Sequence, residues 1–145
     1  MNVRVVFAGL LVVGLLLGGG SPAPAQTKRV IKITMSSWKF EPNIIKLNDG
    51  DTVVLELVNV DPQRPHNISS AFLNPVNLTI RGDGVQGMSP DGLKRVQVEA
   101  GKSAEVEFVA RGRGQASFVC TVFDHASRGM TGALILWPPG YAPGP

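Results

Sequence analysis

Short apolar runs rich in β-branched residues, each bounded by turn residues, occupy most of this chain. The strongest is Thr52–Val60, which follows the turn Asn48–Asp51 and ends at Asp61-Pro62. Runs of the same character lie at 30–34, 44–47, 93–99, 104–109, 115–120 and 131–137. Between them, residues 71–92 are dominated by turn chemistry and predict one short strand, at 77–80. Since no amphipathic helical pattern interrupts the series, the sequence predicts an all-β fold, an antiparallel sandwich or barrel.

The N-terminal segment does not fit this pattern. Arg4 precedes a nearly unbroken apolar run, Val5–Leu17, and the small residues Ala23-Pro24-Ala25 follow. This order is typical of a secretory signal peptide, so we predict that residues 1–25 are removed and that the protein is exported, to the periplasm of a bacterium. The alternative is an uncleaved membrane anchor, but the run is shorter than the roughly 20 residues that span a bilayer.

The rest of the chain divides into one domain at 26–137 and a Pro/Gly-rich tail at 138–145, which we expect to be extended or disordered. The net charge of the whole chain, +3, is mild. Its basic residues are interleaved with aliphatic residues, glycines and acids and form no stripe with aromatic residues. The sequence therefore does not predict nucleic-acid binding. The charge is compatible with an acidic partner but does not imply one.

The single cysteine points to a metal. Exported proteins usually pair their cysteines, so one left over forms an intermolecular bridge, remains a reactive thiol or binds a metal. Cys120 shares one short stretch with His125 and Met130, and His66 is the only other histidine. Two imidazoles, one thiolate and a weak axial thioether are the ligands of a blue-copper electron-transfer site. The candidate metal ligands are therefore His66, Cys120, His125 and Met130.

Other interpretations of these residues remain open. Cys120 could be a buried inert thiol, and His66 or Met130 could simply pack in the core. Met35 and Met88 are rival thioethers, but the first is most simply strand packing and the second lies in the turn-rich segment. An enzyme with a Cys–His nucleophile pair is disfavoured because catalytic cysteines usually find their histidine far away in sequence. Zinc is disfavoured because it prefers carboxylate to thioether.

With these residues in place, the chain resembles the cupredoxins, the small blue-copper family. The similarity spans most of the predicted domain, and the Cys-x4-His-x4-Met spacing is similar to that of rusticyanin and sulfocyanin. The matching segments are 38–42, 44–47, 50–53, 66–67, 100–102 and 120–132. The resemblance implies an eight-stranded Greek-key sandwich, one copper ion and single-electron transfer.

The resemblance also implies two supporting residues. The backbone N–H of Asn67 is expected to donate toward the Cys120 sulfur, and the Asn67 side chain is expected to bond near Thr121. Such contacts orient metal ligands and tune the metal. Asp124 departs from the family pattern, since many members carry Pro or Gly there. Beside an exposed His125 imidazole, this carboxylate would lower the reduction potential or favour protonation of the ring.

The apolar residues of the ligand loop, Val122, Phe123 and Ala126, have two possible roles: they shield the metal from water, or they form a patch on which a partner docks. Elsewhere, the bulky residues expected in the core are Trp38, Phe40, Phe108, Phe118 and Trp137.

These observations together predict a soluble, exported type 1 copper protein that carries single electrons and is not an enzyme. We expect it to be a monomer, free of the membrane after cleavage, and to exchange electrons with redox proteins such as a cytochrome or a copper enzyme. The alternative is a periplasmic copper-binding protein for storage, delivery or resistance. Met130 and a ligand set supplied entirely by the protein argue against easy copper release, and the chain has no Met- or His-rich tract.

Overall fold

A computed structural model describes residues 28–141, so the predicted signal peptide, residues 1–25, lies outside the described residues. Within this range the protein is built from strands, with one short 3₁₀ turn at Ala71–Leu73. The strands are β1 (Lys28–Ser36), β2 (Lys39–Glu41), β3 (Ile44–Asn48), β4 (Thr52–Asn59), β5 (His66–Ser70), β6 (Thr79–Gly82), β7 (Gly84–Met88), β8 (Lys94–Val98), β9 (Ser103–Val109), β10 (Gly114–Val119) and β11 (Thr131–Trp137). No helix within residues 28–141 is long and apolar enough to cross a membrane.

The strands form two sheets, as expected for a sandwich. One sheet has five strands in the order β2-β1-β4-β9-β6, and the other has six in the order β3-β11-β10-β5-β8-β7. The chain passes from one sheet to the other several times along its length, which supports the predicted Greek-key type of fold. Both sheets are mixed, since β1 pairs with β4 and β3 pairs with β11 in parallel. The prediction of a purely antiparallel sandwich was wrong in this respect, because the sequence does not show which strands are neighbours.

One hydrophobic core joins the two sheets. Alternate side chains of the longer strands point inward, for example Ile33 and Met35 in β1 and Leu55 and Leu57 in β4. Each such fully buried side chain stabilises the fold by about 1.5–3 kcal/mol relative to an exposed one. Of the bulky residues predicted for the core, the three phenylalanines are buried, whereas the two tryptophans are only partly buried.

Three strands lie where the sequence showed none. The short β2 and the edge strand β7 carry little alternating pattern, and β5 reads His-Asn-Ile-Ser-Ser. All five residues of β5 are nonetheless buried, because this strand lies inside the six-stranded sheet between β10 and β8. Polar residues in a central strand are stable when hydrogen bonds satisfy them. Here that strand carries one of the candidate ligands.

The loops at one end of the sandwich are tied together by hydrogen bonds. Ser37 Oγ, in the β1–β2 turn, donates to Asp61 Oδ2 at 2.8 Å, and the Gly101 N–H donates to the Asp61 carbonyl at 3.0 Å. The Asn59 side chain donates to the carbonyls of Arg64, Val98 and Glu99, which fixes the loop after β4. The candidate ligands lie at this end, which we call the site end.

The start of the predicted tail is ordered. The Tyr141 N–H donates to the Pro138 carbonyl at 3.1 Å, and the Tyr141 ring packs 5.1 Å from that of Trp137. Residues 138–141 therefore turn back on the last strand, where an extended or disordered tail was expected. The remainder of the predicted tail, 142–145, lies outside the described residues.

Candidate metal centre

Neighbouring strands position three of the four predicted ligands. Cys120 directly follows β10, and His66 is the first residue of β5, which pairs with β10 at Ser69 and Val119. His125 lies in the loop between β10 and β11. Hydrogen bonds hold that loop in shape, since the His125 N–H donates to the Val122 carbonyl at 3.1 Å. The site thus rests on two adjacent inner strands of the six-stranded sheet.

The donor atoms of these three residues converge. His66 Nδ1 lies 3.1 Å from His125 Nδ1, and Cys120 Sγ lies 3.9 Å from the first and 3.4 Å from the second. All three residues are buried, with His125 the most exposed at 2%. Among the His, Cys, Asp and Glu residues of 28–141, these form a group able to hold a metal ion.

The donor spacing fits a single first-row ion. Bonds from such an ion to imidazole nitrogen and thiolate sulfur are about 2.0–2.3 Å long, so donors around one ion lie within about 4.5 Å of each other. All three observed separations satisfy this limit. Two imidazoles and one sulfur are also the donor set that suits copper in both of its oxidation states.

The fourth predicted ligand, Met130, lies next to the same residues. Its side chain is fully buried. Its N–H donates to the His125 carbonyl at 3.0 Å, and its carbonyl accepts the Cys120 N–H at 3.0 Å. These two bonds close the loop and connect Met130 to both predicted ligands of the loop, Cys120 and His125. Coordination by the Met130 sulfur stays a prediction.

The hydrogen bonds implied for Asn67 and Thr121 are present. The Asn67 N–H donates to Cys120 Sγ at 3.5 Å, and Asn67 Oδ1 accepts from the Thr121 N–H at 2.9 Å and from Thr121 Oγ1 at 3.2 Å. Ser69 Oγ, which the sequence did not single out, also donates to Asn67 Oδ1 at 3.1 Å. Together they bind β5 to the segment that begins with Cys120 and limit the movement of the sulfur.

A carboxylate that the sequence analysis missed lies beside His66. The Nε2 atom of His66 lies 3.4 Å from Asp61 Oδ2, a distance longer than that of an ordinary hydrogen bond. This nitrogen makes no closer polar contact within residues 28–141. Asp61 is itself buried and accepts the N–H groups of Gln63 and Arg64 on Oδ1. The Gln63 N–H is the main reason why the pKa of Asp61 is lowered to about 2, with Ser37 and Arg64 adding to it. The carboxylate therefore stays charged beside the imidazole.

The surroundings of His125 differ from the expectation. An exposed imidazole was predicted, but Trp38 covers the ring edge-on, with centroids 4.8 Å apart and planes at 77°. Two guanidinium groups lie over the indole, with the Cζ atoms of Arg128 and Arg64 at 4.6 Å and 5.4 Å from its centroid. Asp124 Oδ2 accepts from Arg128 Nε at 2.7 Å. The carboxylate predicted to act on His125 is thus paired with an arginine, and this contact holds the pKa of Asp124 low.

One of these contacts has a signal in the sequence, and the other has a signal only in the backbone of the structure. Asp61 follows the strongest strand and precedes Pro62, which indicates a turn at the site end. Trp38 lies in the two-residue turn between β1 and β2 and has a φ of 68°. Two-residue hairpin turns require positive φ, which is uncommon for residues other than glycine. Neither signal says which ligand the residue would reach.

Burial sets the protonation of the metal-free donors. It lowers the pKa of both histidines, and the charge of His125 adds to the effect on His66. It raises the pKa of the Cys120 thiol. The imidazoles are therefore neutral and ready to bind, whereas the thiol loses its proton when it binds a metal.

Comparisons with known proteins agree with this geometry. A family model described as a cupredoxin-like domain matches residues 9–130. The copper-resistant cuproprotein CopI of Pseudomonas aeruginosa strain PAO1 is 25% identical over 178 aligned positions, which cover 93% of this chain and 98% of that protein.

Solved structures show the same fold. Reduced auracyanin from the photosynthetic bacterium Roseiflexus castenholzii has a TM-score of 0.58 at 16% identity, over 79% of this chain and 100% of that one. Auracyanin A, a blue copper protein of Chloroflexus aurantiacus, has a TM-score of 0.54 at 16% identity, over 74% and 99%. The family match and the buried His-Cys-His donors together indicate one copper ion. The chain belongs to the cupredoxin-like domain family.

Proposed function

We propose that this protein is an exported type 1 copper protein that carries single electrons, with His66, Cys120 and His125 as equatorial ligands and Met130 as a weak axial one. The observation that carries the proposal is the convergence of two imidazole nitrogens and one sulfur within 3.9 Å of each other in a buried site. Bound copper would supply a one-electron couple between Cu(I) and Cu(II).

The chain's own residues favour electron transfer because they keep the donors still. The Asn67 N–H and the Met130 carbonyl hold the sulfur and the backbone of Cys120 in place. Asp61 faces the outer nitrogen of His66 at 3.4 Å. A site held in this way changes little when its charge changes, so the barrier to electron transfer stays low.

We further propose that the protein acts in the periplasm after removal of residues 1–25, as a monomer that is not an enzyme. Its partners would be a redox protein on each side, such as a cytochrome or a copper enzyme. The weak net charge gives no reason to propose nucleic acid as a partner.

A second candidate is copper resistance or delivery. It is favoured by the relative from Pseudomonas aeruginosa, which is named a copper-resistant cuproprotein. A protein with this role must release its copper to an acceptor, whereas a carrier must keep it through many redox cycles. Retention of copper therefore separates the two candidates.

The experiment combines colour, voltammetry and retention. Protein loaded with Cu(II) should turn intensely blue or green through sulfur-to-copper charge transfer, and ascorbate should bleach it reversibly. A carrier should give a reversible one-electron wave and keep its single copper in the presence of the Cu(I) chelator bathocuproine disulfonate. Rapid loss of copper to the chelator after reduction would favour resistance or delivery, and a colourless complex would contradict both the ligand set and the carrier role.

A further inference from the structure

The imidazole of His125 has almost no surface of its own. It is 2% exposed, and Trp38 covers it edge-on at a centroid distance of 4.8 Å. A protein that docks at the site end can touch the indole but cannot touch the imidazole. Because Trp38 is only partly buried, it is the aromatic group between the metal centre and the solvent on this side.

The position of Trp38 is built into the fold. Trp38 has a positive φ of 68° in the β1–β2 turn, and its ring packs against His125 of the ligand loop. Arg64 comes from the loop after β4 and Arg128 from the ligand loop, and both guanidinium groups lie over the indole. Three separate segments thus converge on one ring, which restricts its movement by cation–π attraction and packing.

The surface around this ring presents more positive than negative charge. Trp38, Arg64, Phe123 and Arg128 are among the residues that line a hollow of about 410 Å³. The side chains of Arg64 and Arg128 are 47% and 53% exposed, whereas Asp61, the carboxylate that faces Arg64, is 1% exposed. Asp124 is the one acidic residue in the lining, and it is already bonded to Arg128. Beside it Phe123 is 94% exposed, with a φ of 43°.

We propose that Trp38, Arg64, Arg128 and Phe123 form the docking surface for an acidic one-electron redox protein, with Trp38 as the group through which the electron passes. This rests on the proposed electron-carrier function. The two guanidinium groups recognise carboxylates of the partner, and the exposed Phe123 ring in the same hollow offers an apolar contact. A cation-lined aromatic contact of this kind speeds encounter with an acidic partner and is weakened by salt.

The first test measures docking without electron transfer. The reduced copper protein is labelled with ¹⁵N and titrated with zinc-substituted cytochrome b5, an acidic haem protein that cannot accept the electron. Amide shifts should concentrate at 37–39, 62–65 and 122–129 and fade with salt. The double variant Arg64→Gln, Arg128→Gln should weaken binding by about fivefold. The double variant Arg111→Gln, Arg113→Gln, which changes two exposed arginines beyond the end of β9, is the matched control and should bind as the wild type does.

The second test measures the path of the electron. Ferricyanide takes one electron from the reduced protein, so that Fe(III) becomes Fe(II), copper becomes Cu(II), and no bond forms or breaks. Trp38→Leu keeps an apolar cover over His125 but removes the aromatic ring. The rate at which ferricyanide oxidises this variant should fall several-fold. Trp38→Phe should recover most of the rate. The visible spectrum of both variants should match that of the wild type, which shows that the copper site is intact.

The outcomes separate the inference from the function on which it rests. Amide shifts on another face, equal binding by the basic protein cytochrome c, or a Trp38→Leu rate equal to that of the wild type would overturn the docking surface. Each of these results leaves the carrier role standing, because the wild type still exchanges electrons reversibly. A wild type that exchanges no electron with ferricyanide overturns the proposed function itself.

Discussion

The two histidines of the candidate metal centre are about equally buried, but different parts of the protein hold them. His66 lies within a central strand, and its outer nitrogen faces the buried carboxylate of Asp61 at 3.4 Å. His125 lies in a loop, and the partly exposed ring of Trp38 covers it. The first ligand is therefore enclosed by the fold and by a fixed negative charge. The second is separated from the solvent by one side chain.

This difference assigns separate tasks to the two sides. A buried charge acts strongly on a nearby metal because little water screens it. The His66 side is therefore expected to set the affinity and the reduction potential. The His125 side, with its exposed arginines and indole, is expected to set the rate of exchange with a partner. The following substitutions test this division.

The largest effect is expected for Cys120→Ser, which removes the donor that both sides share. An oxygen cannot give the intense sulfur-to-copper transition, so the blue or green colour should vanish from the visible spectrum. Met35→Leu, a conservative change of another fully buried residue, is the control and should keep the colour. Intense colour in the Cys120→Ser variant would mean that the sulfur is not a ligand.

Asp61→Asn should have the next largest effect, because it removes the charge that faces His66 but keeps the shape of the side chain. Changes to groups that support a ligand typically lower metal affinity by about 10–100-fold. The reduction potential should rise, since a nearby negative charge favours Cu(II). Competition with a chelator and voltammetry measure the two effects. An unchanged potential would show that Asp61 only holds the loop.

Asp61 also predicts a dependence of stability on pH. Its pKa is about 2 in the folded protein, against an ordinary value of 3.8. A lowered carboxyl pKa stabilises the fold above the ordinary value, and this contribution is lost as the pH falls toward 2. The difference in unfolding free energy between the metal-free wild type and Asp61→Asn should therefore narrow over this range in urea titrations. A constant difference would contradict the lowered pKa.

Met130→Leu should raise the potential while keeping copper bound, because an axial thioether favours Cu(II) more than a hydrocarbon does. If that preference is tenfold, the rise is about 59 mV for a one-electron couple. The Met130 side chain is buried, and the Met130 backbone bonds to both Cys120 and His125. The change in potential therefore cannot be assigned to the side of one histidine alone. Met35→Leu again serves as the control. A fall in potential in voltammetry would contradict the axial role.

The smallest effect is expected for Asp124→Asn, which is the counterpart of Asp61→Asn on the His125 side. Asp124 is about half exposed and bonded to Arg128, so water and the guanidinium group screen its charge. The reduction potential of the Asp124→Asn variant should stay close to that of the wild type. Its shift should be much smaller than the shift caused by Asp61→Asn. Equal shifts in the two variants would remove the distinction between the two sides.

The predicted strands were largely those found, because alternation along a strand reports which face is buried. The strand Thr52–Asn59 shows this, since the predicted run began at the same residue and ended only one residue later, at Val60. His66–Ser70 shows the limit, because its residues are polar and only its place between two other strands buries them. The parallel pairs likewise depend on strand order, which local sequence does not record.

The sequence by itself supplied the candidate donors: one sulfur, two imidazoles and a nearby thioether, with three of them on one loop. The supporting roles of Asn67 and Thr121 beside Cys120 came from the family resemblance, because the residues alone show only that they are present. Tertiary structure alone decided that Asp61 faces His66 and that Trp38 covers His125. Donor identity is a local property of residue type. Which neighbour a ligand meets depends on loops from separate strands converging at one end of the sandwich, and only the folded sheets bring those loops together.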